Sequence, residues 1–166
     1  GFGFGNGRVL PAGPLREPVD EGLARADAVV LMEPDSAGVA AELEEASPPL
    51  IGGRMVPAAA AERFAGRKVV AFAGIGRPEK FFATLEDLRC RIVTKRKFPD
   101  HHDFTPDEIM RLVETARAAG ATPVTTAKDY VRLPRDAQVM VEPVPVVLEW
   151  RNPQEIESLL DRALAP

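Results

Sequence analysis

Apolar and polar positions change their period several times along the 166 residues. Pro11, Gly13, Pro14 and Pro18 keep residues 5–18 irregular, and a short helix is expected from Val19 to Ala26. Ala28-Val29-Val30-Leu31-Met32 follows as an unbroken apolar run, the pattern of a strand in a parallel sheet covered on both faces. Nothing else in residues 1–46 could pair with it, so the strand is expected to need a sheet that lies outside this chain. From about residue 61 the pattern becomes strand–helix. Residues 69–73 read as a buried strand, and Pro78 opens a helix to about Leu88 with Phe81, Phe82 and Leu85 on one side. Cys90, Ile92 and Thr94 alternate with Arg91, Val93 and Lys95, as in a half-buried strand. Thr105-Pro106-Asp107-Glu108 spells a capping box. Its helix buries Ile109, Leu112, Val113 and Ala116 and stops at Gly120. Residues 122–126, 139–141 and 144–148 are expected to be extended, and Pro153 opens a closing helix to Leu164. The fold class is α/β, with a mostly parallel, three-layer sheet.

Composition narrows the function classes. One cysteine, Cys90, excludes an intrachain disulfide and a cysteine-built zinc site. The longest apolar stretch falls far short of the ~20 residues a membrane span needs. A net charge of −4 and few aromatics disfavour a general nucleic-acid binder. Charge is uneven: residues 1–46 carry three basic and nine acidic side chains, whereas residues 47–166 carry 18 and 16. That shift, beside Ser47-Pro48-Pro49 and Gly52-Gly53, suggests a domain boundary. The opening Gly1-Phe2-Gly3-Phe4-Gly5-Asn6-Gly7 reads as the middle of a loop, so the chain is expected to be the carboxyl-terminal part of a longer protein.

Four stretches could carry chemistry. Gly74-Ile75-Gly76 lies between strand and helix, where backbone N–H groups can receive an anion. The dinucleotide fingerprint fails because Glu79 stands where its third glycine belongs, which favours a plain tight turn. No lysine precedes Ser or Thr, so a phosphate-binding lysine loop is absent from this sequence. Asp100-His101-His102 holds both histidines at the rim of the sheet, where a carboxylate can orient an imidazole. A solvated loop is the competing reading. An Asp-His-His manganese phosphoesterase would need further aspartates, and Asp27 and Asp35, flanking one strand, do not complete that set. In Thr126-Ala127-Lys128-Asp129, Lys128 could meet a phosphate, while Asp129 could pair with it or cap the next helix. Arg89, Arg91, Lys95, Arg96 and Lys97 offer a basic face, usually a solvated one. In the long amino-terminal loop, Arg16 can grip a carboxylate or phosphate bidentately.

Several segments together resemble the tetraacyldisaccharide 4'-kinase family of lipid A biosynthesis. They are Gly3-Phe4-Gly5-Asn6-Gly7-Arg8, Leu10-Pro11-Ala12-Gly13-Pro14-Leu15-Arg16-Glu17-Pro18, Arg25-Ala26-Asp27, Phe72-Ala73-Gly74-Ile75-Gly76-Arg77-Pro78-Glu79, Phe98-Pro99-Asp100-His101-His102 and Thr126-Ala127-Lys128-Asp129. Ala127 departs from the family's usual glutamate. The resemblance implies that residues 1–46 are the tail of a P-loop kinase domain, 47–60 a hinge and 61–166 a Rossmann-like α/β second domain. It implies phosphoryl transfer from ATP, with Mg2+, to the 4'-hydroxyl of an acylated glucosamine disaccharide 1-phosphate. ATP and metal would be bound mainly upstream of this chain, leaving no metal ligand here and the fragment inactive alone. His101, supported by Asp100, would face the catalytic-base aspartate, and His102 would point toward the following helix cap. Asn6, Arg8, Arg16 and Glu17 would line the substrate side. Lys128 and Asp129 would form a nucleotide-binding or structural turn. The whole enzyme would work at the cytoplasmic face of the inner membrane, with the fragment itself soluble. A non-catalytic α/β binding module is the alternative class.

Overall fold

The computed structural model describes residues 3–43 and 48–165. In chain order the elements are α1 (Val19–Ala24), β1 (Val29–Met32), α2 (Val39–Glu42), β2 (Leu50–Pro57), a 3-10 helix (Ala59–Phe64), β3 (Lys68–Ala73) and α3 (Pro78–Asp87). Then come β4 (Arg91–Lys97), α4 (Pro106–Ala119), β5 (Thr122–Thr126), α5 (Ala127–Tyr130), α6 (Arg135–Gln138), β6 (Glu142–Val144), β7 (Val146–Trp150) and α7 (Pro153–Leu164). The chain divides into two compact units, residues 1–55 with 148–166, and residues 56–147. The closing helix α7 therefore goes with the first unit. The boundary expected at Ser47 and the opening Gly1-Phe2 lie outside the described residues.

The second unit contains a parallel sheet in the order β4-β3-β5-β6. Alternate residues of β3 feed opposite faces. Val69, Ala71 and Ala73 pack with the 3-10 helix and with Phe81, Phe82 and Leu85 of α3. Val70 and Phe72 pack with Phe104, Ile109, Leu112 and Ala116 around α4, and with Leu133 and Ala137. The unbroken apolar run is buried because both faces are covered, as a central parallel strand requires. The edge strand β4 shows the expected alternation, and Lys95 and Lys97 reach Glu86 and Glu79 of α3. The capping box forms as spelled, and Gly120 closes α4 in the left-handed conformation at φ 59°. Val139, expected in a strand, is instead the exposed turn that ends α6, and the strand begins at Glu142.

In the first unit the expectation of an unpaired β1 is overturned. β1 runs parallel to β2, with Val29 opposite Leu50 and Met32 opposite Gly53, in a sheet ordered β1-β2-β7. The partner strand is hard to recognise in the sequence because Gly52 and Gly53 look like loop. They are glycines because neighbours crowd them: a Cβ on Gly53 would sit 3.1 Å from Leu148 and 3.2 Å from the Trp150 ring. Nor is β1 covered on both faces, since Val30 and Met32 remain 46% and 38% exposed among the described residues. Asp35, after β1, accepts from the backbone N–H groups of Val39 and Ala40, which start α2. Those N–H groups, Ala40 first, lower its pKa.

Candidate functional site

Neighbouring parallel strands β4, β3 and β5 end at the same edge of the sheet, and the loops that leave them meet there. Phe98 N–H, just past β4, donates to Ala73 C=O at 2.9 Å, and His101 N–H donates to Gly74 C=O at 3.1 Å. A Cβ on Gly74 would lie 3.2–3.3 Å from Phe104, His102 and the Pro99 carbonyl, so the close approach of the two loops requires glycine. Gly74 N–H is not left open for an anion. It donates to Asp129 Oδ2 at 2.9 Å, so this donor of the turn serves the structure.

The two histidines have different surroundings. His102 stacks on Phe98 at 4.7 Å between ring centroids and meets Phe104 edge-on at 5.1 Å. Its Nε2 lies 3.0 Å from Glu108 Oε2, the same oxygen that accepts from Thr105 N–H in the capping box. His102 thus points toward the helix cap and ties the loop to α4. The Thr105 backbone N–H foremost, then the His102 ring, holds the Glu108 carboxyl down at about 2. His101 has a left-handed backbone, φ 60°, and 68% of its side chain is exposed. Its Nε2 lies 3.9 Å from Asp100 Oδ2, close enough for mutual orientation but beyond a direct hydrogen bond. Asp100 Oδ1 also accepts from His101 N–H at 3.1 Å. An exposed imidazole beside a carboxylate, on a loop anchored from below, is free to exchange a proton with a bound reactant.

The Thr-Ala-Lys-Asp turn separates its two charges. Lys128 is exposed, whereas Asp129 is fully buried. Asp129 Oδ2 accepts from Thr126 Oγ1 at 2.9 Å, and Asp129 N–H donates back to that hydroxyl at 3.0 Å. Arg132, which no sequence motif singles out, lies beside it. Its Nη1 is 3.7 Å from Asp129 Oδ1, and its Nη2 donates to His102 C=O at 2.9 Å. The one local signal is the three-residue spacing from Asp129, which puts both on one side of a helical turn.

The amino-terminal loop is a site built within the first unit. Asn6 Nδ2 donates to Ala12 C=O at 2.9 Å, and its Oδ1 accepts from Arg8 N–H at 3.1 Å. Leu10 N–H donates to Leu15 C=O, and Leu15 N–H to Arg8 C=O. Asn6 therefore braces the loop. Glu17 is engaged by both guanidinium nitrogens of Arg25, and that contact lowers its pKa. Arg8 and Arg16 are exposed and form no ion pair among the described residues. Of the four expected substrate residues, the two arginines keep open charge, while Asn6 and Glu17 are already occupied.

No three His, Cys, Asp or Glu side chains gather as a metal-ligand set among the described residues. His102 is committed to Glu108, so Asp100, His101 and His102 do not converge as the phosphoesterase reading requires. No helix among the described residues is long and apolar enough to cross a membrane.

Residues 2–165 match the family model LpxK, tetraacyldisaccharide-1-P 4'-kinase. A tetraacyldisaccharide 4'-kinase of Rhodospirillum rubrum is 49% identical over 167 residues, covering 99% of this chain and 50% of that protein. That of Rhodospirillum centenum is 53% identical over 165 residues, covering 99% and 48%. A crystal structure described as an "apo" form of LpxK from Aquifex aeolicus in complex with ATP superposes with a TM-score of 0.61. It is 26% identical, covering 95% of this chain and 48% of that one. The chain spans about half the length of the curated relatives it matches.

Proposed function

The chain belongs to the tetraacyldisaccharide 4'-kinase family, and on that premise we propose that it forms part of a kinase phosphorylating the 4'-hydroxyl of an acylated glucosamine disaccharide 1-phosphate. The phosphoryl donor is ATP, with Mg2+, and the product is a lipid A precursor. The enzyme works at the cytoplasmic face of the inner membrane, where an acylated substrate resides. Residues 1–46 are assigned to the kinase domain, 47–60 to a hinge and the segment from residue 61 to the second domain, except that residues 148–166, with α7, cluster with the first unit.

The described residues do not by themselves assemble a site for ATP or Mg2+. Each of the five lysines precedes Val, Phe, Arg or Asp, the Gly74 N–H is bound to Asp129, and the described residues hold no metal-ligand set. Nucleotide phosphates and metal are assigned to the part of the family's length that this chain does not span.

The observation that carries the proposal is the contrast between the histidines. His102 is fixed by Glu108 and two phenylalanines, while the neighbouring imidazole of His101 faces solvent next to Asp100. In this reading the His101 ring orients and tunes the base that takes the proton of the attacking hydroxyl, and Asp100 fixes the ring's orientation. Arg16 and Arg8 offer guanidinium groups to the anionic sugar phosphate. Glu17, held by Arg25, sets the position of that loop.

The test is His101→Ala in a kinase of the family's full length that contains this chain. General acid–base assistance is worth ~10²–10⁴-fold, so kcat should fall by up to that factor with the KM for ATP nearly unchanged. His102→Ala should act mainly on stability, through the lost aromatic and Glu108 contacts. A wild-type kcat for His101→Ala removes the imidazole from the mechanism.

A further inference from the structure

We infer that Asp129, acting through Gly74, and Arg132, at the His102 carbonyl, are positioning residues that fix the loop carrying His101 and hold its imidazole at the reaction site. The inference rests on the role proposed above for His101.

His101 sits in the left-handed region at φ 60°, which a residue with a Cβ leaves unless something holds it there. Two connections do so. On the amino-terminal side, His101 N–H donates to Gly74 C=O at 3.1 Å, and Gly74 N–H donates to Asp129 Oδ2 at 2.9 Å. On the carboxyl-terminal side, His102 C=O accepts from Arg132 Nη2 at 2.9 Å. The two anchors face each other, with Arg132 Nη1 3.7 Å from Asp129 Oδ1. One carboxylate and one guanidinium thus hold the strand-end loops of β3 and β4 in a single register.

The anchors are built rather than incidental. Asp129 is 0% exposed, and its carboxylate is fixed by the Thr126 hydroxyl that also caps α5. Asp129 Oδ1 and Arg132 Nη1 are buried without a hydrogen-bond partner among the described residues. Stability alone gives little reason to keep such a pair, since apolar replacements of buried ion pairs are often neutral or stabilising. Positioning gives a reason: a point charge with fixed hydrogen bonds specifies where two loops meet more sharply than apolar packing does. Lys128, between Thr126 and Asp129 in sequence, is exposed and takes no part in this grip.

The experiment is a double-mutant cycle in the full-length kinase, with Asp129→Asn and His101→Ala alone and combined. A misplacement of about 1 Å costs up to ~10²-fold, so Asp129→Asn should lower kcat about 10- to 100-fold with the KM for ATP unchanged. In the His101→Ala background it should cost almost nothing further. The imidazole NMR signals give a second readout: in Asp129→Asn the His101 signal should shift or broaden while His102, held by Glu108, keeps its own. If Asp129→Asn fails to fold, Arg132→Met and Arg132→Lys carry the test, with Lys restoring much of the kcat that Met loses. Equal losses from Asp129→Asn with and without His101, or an unmoved His101 signal, overturn the inference. A His101→Ala enzyme with wild-type kcat instead overturns the role of His101, and the NMR signals still decide whether Asp129 positions its ring.

Discussion

The half-buried Glu108 ties the start of α4 to the His102 loop, and removing its charge should be felt as acid sensitivity. Its Oε2 accepts from Thr105 N–H at 2.9 Å and Thr105 Oγ1 at 3.0 Å, and lies 3.0 Å from His102 Nε2. Together these hold its pKa at about 2 against an ordinary 4.5. At 1.36 kcal/mol per unit a shift of this size corresponds to about 3 kcal/mol. Because 30% of the side chain faces solvent, screening brings the contribution to about 1–2 kcal/mol. The sign follows from a depressed carboxylate pKa: the stabilisation is fully present above 4.5 and is lost as pH falls from there through about 2. Glu108→Gln should therefore lower Tm by about 3–6 °C near neutral pH, taking about 3 °C per kcal/mol for a chain of this size. The gap to wild type should shrink steadily as pH falls below 4.5. Thermal unfolding followed by far-ultraviolet circular dichroism across that range measures both quantities. A gap that stays constant with pH, or no gap near neutrality, would refute the assignment of this stability to the charged capping box.

Two further outcomes follow from close contacts elsewhere. Gly13→Ala would bring a Cβ to 2.2 Å from the Arg8 carbonyl and Asn6 Oδ1, a strain of about 1–3 kcal/mol. Hydrogen exchange should show lost protection at Leu10 and Leu15 while Val70 and Phe72 stay protected; unchanged protection in the loop would contradict it. Burial raises the pKa of the Cys90 thiol, which donates to Phe64 C=O at 3.3 Å. Alkylation by iodoacetamide in mildly alkaline buffer should be several-fold slower in the folded chain than in the unfolded one, and equal rates would contradict that burial.

What the sequence discloses is mostly local. Strand β3, helices α3 and α4, the capping box and the Gly120 stop follow from period and caps, because neighbouring residues determine them. Pairing is another matter. The partner of β1 lies in a strand whose centre is Gly52-Gly53, and nothing nearby marks glycine as a strand residue until Trp150 is seen beside it. The site shows the same division. His101 and His102 can be told apart only in part from sequence, since the capping box lies three residues on, but the Phe98 ring that fixes His102 depends on tertiary packing. Asp129 could be read as a cap, but the cap of α5 is Thr126, and Asp129 stands inside the helix, donating its N–H to the Thr126 hydroxyl. That it also reaches Gly74, 55 residues earlier, is a long-range fact that no window of sequence contains.

The second unit is an insertion in the topological sense. Residues 56–147 interrupt a first unit whose two segments lie on either side of them in the chain, and the insertion's ends are fastened to each other, Ala58 N–H donating to Pro145 C=O at 3.0 Å. A segment whose entry and exit are neighbours can be lengthened, shortened or exchanged without moving the sequence that flanks it, much as a cassette is replaced in its holder. For protein engineering this makes Ala58 and Pro145, just outside β2 and β7, natural seams. Chimeras that trade the histidine-bearing module between relatives should be joined there rather than within the glycine-rich strand that precedes it.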